Sequence, residues 1–432
     1  MTTFTDLAPE LVQLIGHWLI SRDLRSLRLT CQVLSHDLLP LVFQSITLNT
    51  KQLDKDIVER LSFLASAPES ILRLIRHVEL GSLSPVRLPP LDQVHKRITL
   101  PDPLYIEHNL RKYLPIVLGS LQSTRSLKWI AHLTDQAWSQ AIIVDSIGKL
   151  KNLSTLQMSL TFCVVSLPRD LLQHATSVSV TIGRQSHIPV GDLVEEFANC
   201  IARAPHITNL EFDRLVPVSD SIVSLDTLLT GSTEPMNLRR LALNYCLVRL
   251  EPQVQHLRQL SSLKLTHLPH TRSGSQIIDA NSSYAEIWAT LERNQIALQE
   301  ISVDKVVPEF VTYLAGYSGL TSLEVKLPRD AGTVSNDEEL ASQFYTALHR
   351  HSKSLKRLAV YPVDSGPWCY HSVSELRQLI VKCNNLKSLL VVFVTDHDAL
   401  SETKTTVFIL SRPTTKKKDV SIRCYSDQWL DV

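Results

Sequence analysis

The sequence predicts an α/β repeat protein, a solenoid of parallel strands headed by a small three-helix module, and three observations predict it. A Leu-x-x-Leu-x-Leu pattern recurs along most of the chain. Between its copies lie segments with helical start signals and helical apolar spacing. Ahead of them, residues 1 to 48 compress three short apolar-faced helices into a stretch too small to be stable unaided.

In that opening stretch, Leu11, Ile15, Trp18 and Leu19 draw one apolar stripe. Leu24, Leu27, Cys31, Leu34 and Leu38, at alternating intervals of three and four, draw a second along one helix. Pro9 suits a first helical turn, where its missing N–H would be unpaired anyway, and Glu10 favours the positive end of the helix dipole. Ser21 is placed to cap the next helix, with Asp23 in its first turn. Gly16 is a poor helix former, about 1 kcal/mol worse than alanine, which packing has to offset. A unit of roughly 40 residues buries too little surface alone. Its apolar faces need a partner or the rest of the chain, and this reads as a docking module, followed by a connecting helix over 49 to 69.

Beyond it, the pattern's first positions are Ile75, Leu127, Leu153, Ala175, Ile207, Leu238, Leu260, Leu298, Leu320, Leu355 and Leu386. Three fixed apolar positions arise by chance at about 9% of starts in a chain this hydrophobic, so the register needs other support. Capping boxes supply it: Asp192 with Glu195, Ser283 with Glu286, Asn336 with Glu339 and Ser372 with Glu375 each precede an apolar period. The faces are Leu193, Val194, Phe197 and Ile201; Tyr284, Ile287, Trp288 and Leu291; Leu340, Phe344 and Leu348; and Val373, Leu376, Leu379, Ile380 and Cys383. Prolines 85, 217, 269, 308, 328 and 362 close strands, because proline cannot donate to a continuing ladder. A strand followed by a helix, stacked about eleven times, buries each unit only against its neighbours, which gives a curved α/β horseshoe over residues 70 to 395. Five prolines over 82 to 103 read as a long loop, 269 to 283 and 328 to 338 as polar inserts, and 396 to 432 as an irregular C-terminal cap. Lys416, Lys417 and Lys418 fit a solvated turn.

LAPEL, then RDLRSLRLTC, then LLPLVFQSITL follow the order and spacing of the F-box, in its fungal style, and the N-terminal tenth of the chain resembles that family. The resemblance implies binding to the adaptor subunit of the cullin-RING ubiquitin ligases called SCF complexes, and through it to the cullin. On the family pattern the adaptor-binding positions fall on Leu7, Pro9, Glu10, Leu11, Ile15, Leu19, Leu24, Leu27 and Cys31. Ala8 stands where the commoner motif has proline, and Leu34 near the place of a frequent tryptophan. The remainder resembles a leucine-rich-repeat solenoid, irregular because the repeat's Asn or Cys position is filled only by Cys246.

Composition gives no global field toward nucleic acid: 44 basic residues against 43 acidic leave a net charge of +1. No signal sequence or apolar run long enough to span a membrane is present, so an intracellular protein of cytoplasm or nucleus is expected. The seven cysteines, without a Cys-x-x-Cys pair, read as reduced packed thiols, and the Asn152 and Asn281 sequons as chance. Phosphate loops, His-Glu-x-x-His, nucleophile elbows and metal spacings are missing, so no cofactor, metal or catalytic residue is expected. His349, His351 and His206 read as surface or packed imidazoles. The segment YPVDSGPWCYH offers Tyr361, Trp368 and Tyr370 as aromatic anchors for a protein substrate, against ordinary packing of Trp368. The reading is a non-catalytic substrate receptor; a repeat scaffold with an F-box-like cap outside any ligase stays open on the residues alone, as does an enzyme hidden in a divergent fold.

Overall fold

Side chains alternate across a strand, so the fourth and sixth residues of a Leu-x-x-Leu-x-Leu copy face the same side, and stacking such copies in parallel aligns their leucines in rows. The computed structural model has this arrangement, and it describes residues 7 to 50, 57 to 85, 102 to 183, 190 to 214, 223 to 232, 234 to 268, 271 to 273, 276 to 278, 280 to 327, 337 to 361, 368, 374 to 394, 405 to 411 and 421 to 425. The chain divides into two units, Met1–His206 and Ile207–Val432.

In the first unit, helices α1 (Pro9–Trp18), α2 (Ser21–Arg28) and α3 (Gln32–Phe43) enclose a core of Val12, Leu24, Leu34 and Leu38. The stripe from Leu24 to Leu38 therefore belongs to two helices rather than one, because the chain turns at Leu29 to Cys31 and folds α2 back on α3. Ser21 is the first residue of α2; Ile20 takes the cap position in extended backbone, with no side-chain bond. There follow β1 (Ser45–Leu48), α4 (Ile57–Ser66), α5 (Glu69–Leu72), β2 (His77–Leu80), α6 (Pro103–Ser120), β3 (Ser126–Ile130), α7 (Ala137–Gly148), β4 (Thr155–Ser159), β5 (Ser177–Ile182) and α8 (Val190–Ala202). Strands β1 to β5 pair in sequence order, all described pairings parallel, and Leu48, Leu80, Trp129, Met158 and Val180 form one inward row.

The register corrects one repeat and adds another. Val78 pairs with Leu127, so Leu127 is a fourth position and the first is Thr124, fully buried. Phe43, Ile46 and Leu48 make a further copy ahead of Ile75. Beyond the proline-rich stretch read as a loop, the long interval holds α6, which Asp102 opens by accepting from Leu104 N at 3.0 Å, with Pro103 in the first turn.

The second unit runs β6 (Asn209–Arg214), α9 (Leu225–Leu229), β7 (Arg240–Asn244), α10 (Val254–Leu257), β8 (Ser262–Thr266), the hairpin β9 (Thr271–Ser273) with β10 (Gln276–Ile278), then α11 (Ala280–Arg293) and β11 (Glu300–Val303). It continues through α12 (Pro308–Gly316), β12 (Ser322–Lys326), α13 (Asp337–Leu348), β13 (Arg357–Tyr361), α14 (Ser374–Lys382), β14 (Ser388–Val394), β15 (Thr405–Ser411) and β16 (Ser421–Tyr425). Order β6-β7-β8-β11-β12-β13-β14 is parallel, and β15 and β16 close it antiparallel.

Helix starts differ from the capping boxes. α8 and α11 begin at Val190 and Ala280, which puts Asp192 and Ser283 inside their first turns, while Asn336 and Ser372 lie outside the described residues. The apolar faces are nonetheless inward: Phe197, Trp288, Phe344 and Leu379 are among the buried residues. Pro308 opens α12, fitting the helical start as well as the strand end, and prolines 217, 269, 328 and 362 lie outside the described residues. Behind the strands an aromatic run links α11 to α13, with ring centroids 4.4 Å apart for Trp288 and Phe310 and 6.2 Å for Phe310 and Phe344.

Candidate docking surface

A helix that packs on two neighbours needs one apolar face; α1 has two. Its inner face, Val12 and Gly16, meets the module core. Its outer face carries Leu11, Leu14, Ile15 and Trp18, at the i, i+3, i+4, i+7 spacing of one stripe, and they are 49%, 57%, 36% and 85% exposed. Ile20, Leu29 and Val33, at the ends of α2 and the start of α3, are exposed as well. Gln13 ties α1 to α3 by donating to the Asp37 carbonyl at 3.2 Å, so the stripe sits on a braced helix.

The nine positions implied by the F-box resemblance thus fall into two groups. Pro9, Glu10, Leu11 and Ile15 are exposed on α1. Leu24 is in the module core, and Leu7, Leu19, Leu27 and Cys31 pack against it half-buried. Residue spacing alone did not single out Leu14, which shares the exposed stripe.

Of the proposed substrate-contacting aromatics, Trp368 is 7% exposed and packs against Phe344, centroids 5.4 Å apart, while its carbonyl accepts from the Tyr345 hydroxyl. Of the two readings the sequence offers for Trp368, anchor or ordinary packing, the structure has packing: α13 and its neighbours bury it. Tyr361 is half-buried at the end of β13, with the Lys326 ammonium 6.0 Å from its ring centroid, and Tyr370 lies outside the described residues.

The sequence reading missed a polar network beyond the ends of β6 to β8. Asn244 donates from Nδ2 to Asp213 Oδ1 at 2.6 Å, and its Oδ1 accepts from Thr266 Oγ1 at 3.0 Å. The same oxygen lies 3.0 Å from His267 Nδ1, which the network makes the donor, while His267 N donates to Asp304 at 2.5 Å. His267 stacks on Tyr245 with centroids 4.7 Å apart and planes 15° from parallel. Both have positive φ, 54° for Tyr245 and 51° for His267, a conformation that disfavours side chains by roughly 1 kcal/mol or more. They occupy the same place, seven residues after Leu238 and Leu260. Comparing equivalent repeat positions rather than scanning for motifs would have exposed the pair.

Other titratable groups are structural. Asp135 Oδ1 accepts from Ser82 Oγ at 3.0 Å and Leu83 N at 2.9 Å, and Oδ2 from His132 N at 2.9 Å; burial still lifts its carboxyl above the ordinary range. Burial pushes the Cys163 thiol up to about 11 and those of Cys200 and Cys246 to about 12, so they stay protonated. Among the described residues no group of three or more His, Cys, Asp or Glu could hold a metal ion, and no helix is long and apolar enough to cross a membrane. A shallow cavity of about 300 Å³ lies between α4 and α6, lined by Val58, Glu59, Ser62, Tyr105, Asn109 and Tyr113, away from the stripe.

No protein-family model matches this chain. No curated protein matches it either. Among solved structures it is similar to the crystal structure of a TLR13–ssRNA13 complex, with 12% identity and a TM-score of 0.38 over 81% of this chain and 44% of that one. It is also similar to the crystal structure of an internalin (inlF) from Listeria monocytogenes, with 11% identity and a TM-score of 0.31 over 85% of this chain and 93% of that one. The chain spans less than half the length of the TLR13 chain.

Proposed function

We propose that this chain is a substrate-recognition subunit of an SCF-type cullin-RING ubiquitin ligase, docking on the adaptor, and through it the cullin, by its N-terminal helices, and holding a target protein on its repeat surface. The observation that carries this reading is the exposed stripe Leu11, Leu14, Ile15 and Trp18 on a module whose own core is already filled. An apolar face with no internal partner loses free energy to water, at roughly 25 cal/mol per Å², until another surface covers it. The F-box-like order of LAPEL and RDLRSLRLTC supports the adaptor as that surface. In this reading Pro9, Glu10, Leu11 and Ile15 touch the adaptor, and Leu7, Leu19, Leu24, Leu27 and Cys31 hold the helices that present them.

The mechanism is proximity. The receptor raises the local concentration of target lysines beside a charged conjugating enzyme held elsewhere in the complex, and performs no transfer itself. Such a subunit works in cytoplasm or nucleus.

The test is a pull-down with purified adaptor, comparing the natural chain with a Leu11→Asp, Trp18→Asp double variant. Both sites are exposed, so the helices stay folded by circular dichroism, and binding is expected to fall at least tenfold. Leu24→Asp is the wrong probe, because a charge placed in the filled core unfolds the module. If the natural chain does not bind adaptor, the reading fails and a repeat scaffold with an F-box-like cap replaces it.

A further inference from the structure

The turns that lead into β13 and β14 lie side by side in the second unit. Asn385 Nδ2 donates to the Lys353 carbonyl at 2.6 Å, and Lys387 N and Ser388 N donate to the Lys356 carbonyl at 2.7 and 3.0 Å. Lys356 and Lys387 are therefore neighbouring rungs, their backbones about 4.8 Å apart. The same place on the three preceding strands holds Ser261, Gln299 and Thr321. There Ser261 Oγ donates to the Arg239 carbonyl and Thr321 Oγ1 to the Gln299 carbonyl, both at 3.0 Å, so the side chain closes the ladder. The last two parallel strands give up that bond and hold an exposed charge instead.

Arg350, Lys353 and Lys382 are exposed around them, and among the described residues none of these five cations belongs to an ion pair. Residues 349 to 361 and 374 to 388 carry seven basic side chains and one acidic, Glu375, in a chain whose net charge is +1. Glu375 sits at the opposite end of α14 from Lys382, bonded by the Ser342 and Ser374 hydroxyls at 3.1 and 3.0 Å. Glu324 on β12 is taken by Lys326 at 3.1 Å and Arg357 at 3.6 Å. The negative end of a helix dipole accounts for Lys382 in the last turn of α14 and for Arg350 just after α13. It does not account for Lys353, Lys356 and Lys387, which stand beyond those turns, and like charges on neighbouring rungs oppose folding.

A surface that holds unmatched cations at such a cost is complementary to a partner that brings the missing anions. Four of the five are lysines, flexible point charges without the fork that reads phosphate, and among the described residues no exposed aromatic ring stands beside them as a platform for bases. Carboxylates alternate along an extended peptide at about 6.6 Å, within reach of lysines on adjacent rungs. We infer that the rim of β13 and β14 is a docking surface for a carboxylate-rich segment of a bound protein, held by Lys353, Lys356 and Lys387 with Arg350 and Lys382 flanking. This deepens the receptor reading and rests on it only for the claim that the segment belongs to a target protein.

The experiment titrates the full chain into a fluorescent octaglutamate peptide and follows anisotropy, with octaglutamine and an oligouridylate of equal charge as comparisons. Expected is saturable binding of octaglutamate, at least threefold weaker when salt is raised from about 50 to about 200 mM, and none of octaglutamine. Lys356→Gln with Lys387→Gln is expected to weaken octaglutamate at least threefold with an unchanged urea midpoint. Lys149→Gln with Lys151→Gln, two lysines of the first unit, is expected to leave it within a factor of 1.5. No saturable binding, or equal losses from the two lysine pairs, overturns the inference. Tighter binding of the oligouridylate than of octaglutamate overturns it in favour of a nucleic-acid surface. The titration needs no adaptor, so its failure and that of the adaptor pull-down are separate results.

Discussion

A Cβ on Gly16 would meet Leu41 Cδ1 at 2.6 Å, Leu38 Cδ2 at 3.0 Å and Leu24 Cδ1 at 3.3 Å. The low helix propensity of glycine is thus the condition for α1 to lie closely on α2 and α3, and the offset by packing that the sequence demanded is located here. Gly16→Ala recovers about 1 kcal/mol of propensity against that crowding, whereas Gly16→Val overpacks the module by about 1 to 3 kcal/mol, seen as a lower denaturation midpoint and weakened adaptor binding. The second residue that the fold depends on is His351, fully buried, with Nδ1 accepting from Leu320 N at 3.2 Å and Nε2 donating to the Leu314 carbonyl at 3.0 Å. Burial lowers its pKa below the ordinary 6.5, and lowers that of His256 too. The folded ring refuses a proton that the unfolded ring accepts below 6.5, so stability is complete above that pH and falls as pH drops through it. The slope is at most about 1.4 kcal/mol per pH unit for each residue. Urea midpoints at pH 7.5 and 5.5 check this; His351→Gln is expected to be less stable at both and to lose less between them.

At the scale of elements, the outermost parallel strand β14 is covered by β15 along its whole length, from Ser388 opposite Ser411 to Val394 opposite Thr405. An uncovered edge templates pairing with another chain. Ending the chain after residue 394 is therefore expected to produce concentration-dependent self-association by light scattering. Leu390→Lys, on the side of β14 opposite buried Leu389 and Val391, is expected to suppress it. Elements were legible where an apolar period was unbroken: the inward faces of α8, α11, α13 and α14 follow the spacing of their leucines and aromatics. They were misread where a polar residue took an inward place. Thr124 fills the first position of β3 and is buried, so the pattern slid three residues to Leu127. β1 was absorbed into the preceding helical stretch, since Phe43 continues a helical period as well as it starts a strand copy.

At the scale of the whole molecule, the apolar stripe on α1 carries the proposed adaptor interaction. Leu11→Asp with Trp18→Asp is expected to weaken adaptor capture at least tenfold while leaving the unfolding midpoint unchanged, both measurable on the same preparation. The sequence by itself determined the α/β class, the parallel repeat and the presence of an N-terminal helical module, because periodicity and chain order are local properties that burial enforces residue by residue. Only the tertiary structure decided which apolar residues stay outside. Leu11 and Leu24 look alike in a hydrophobic stripe, and only the packing of α1 and α2 on α3 buries Leu24 and leaves Leu11 to water. The same holds for Trp368, which the sequence left between an anchor and ordinary packing and which the fold buries, and for Tyr245 and His267, brought together across 22 residues by the pairing of β7 with β8.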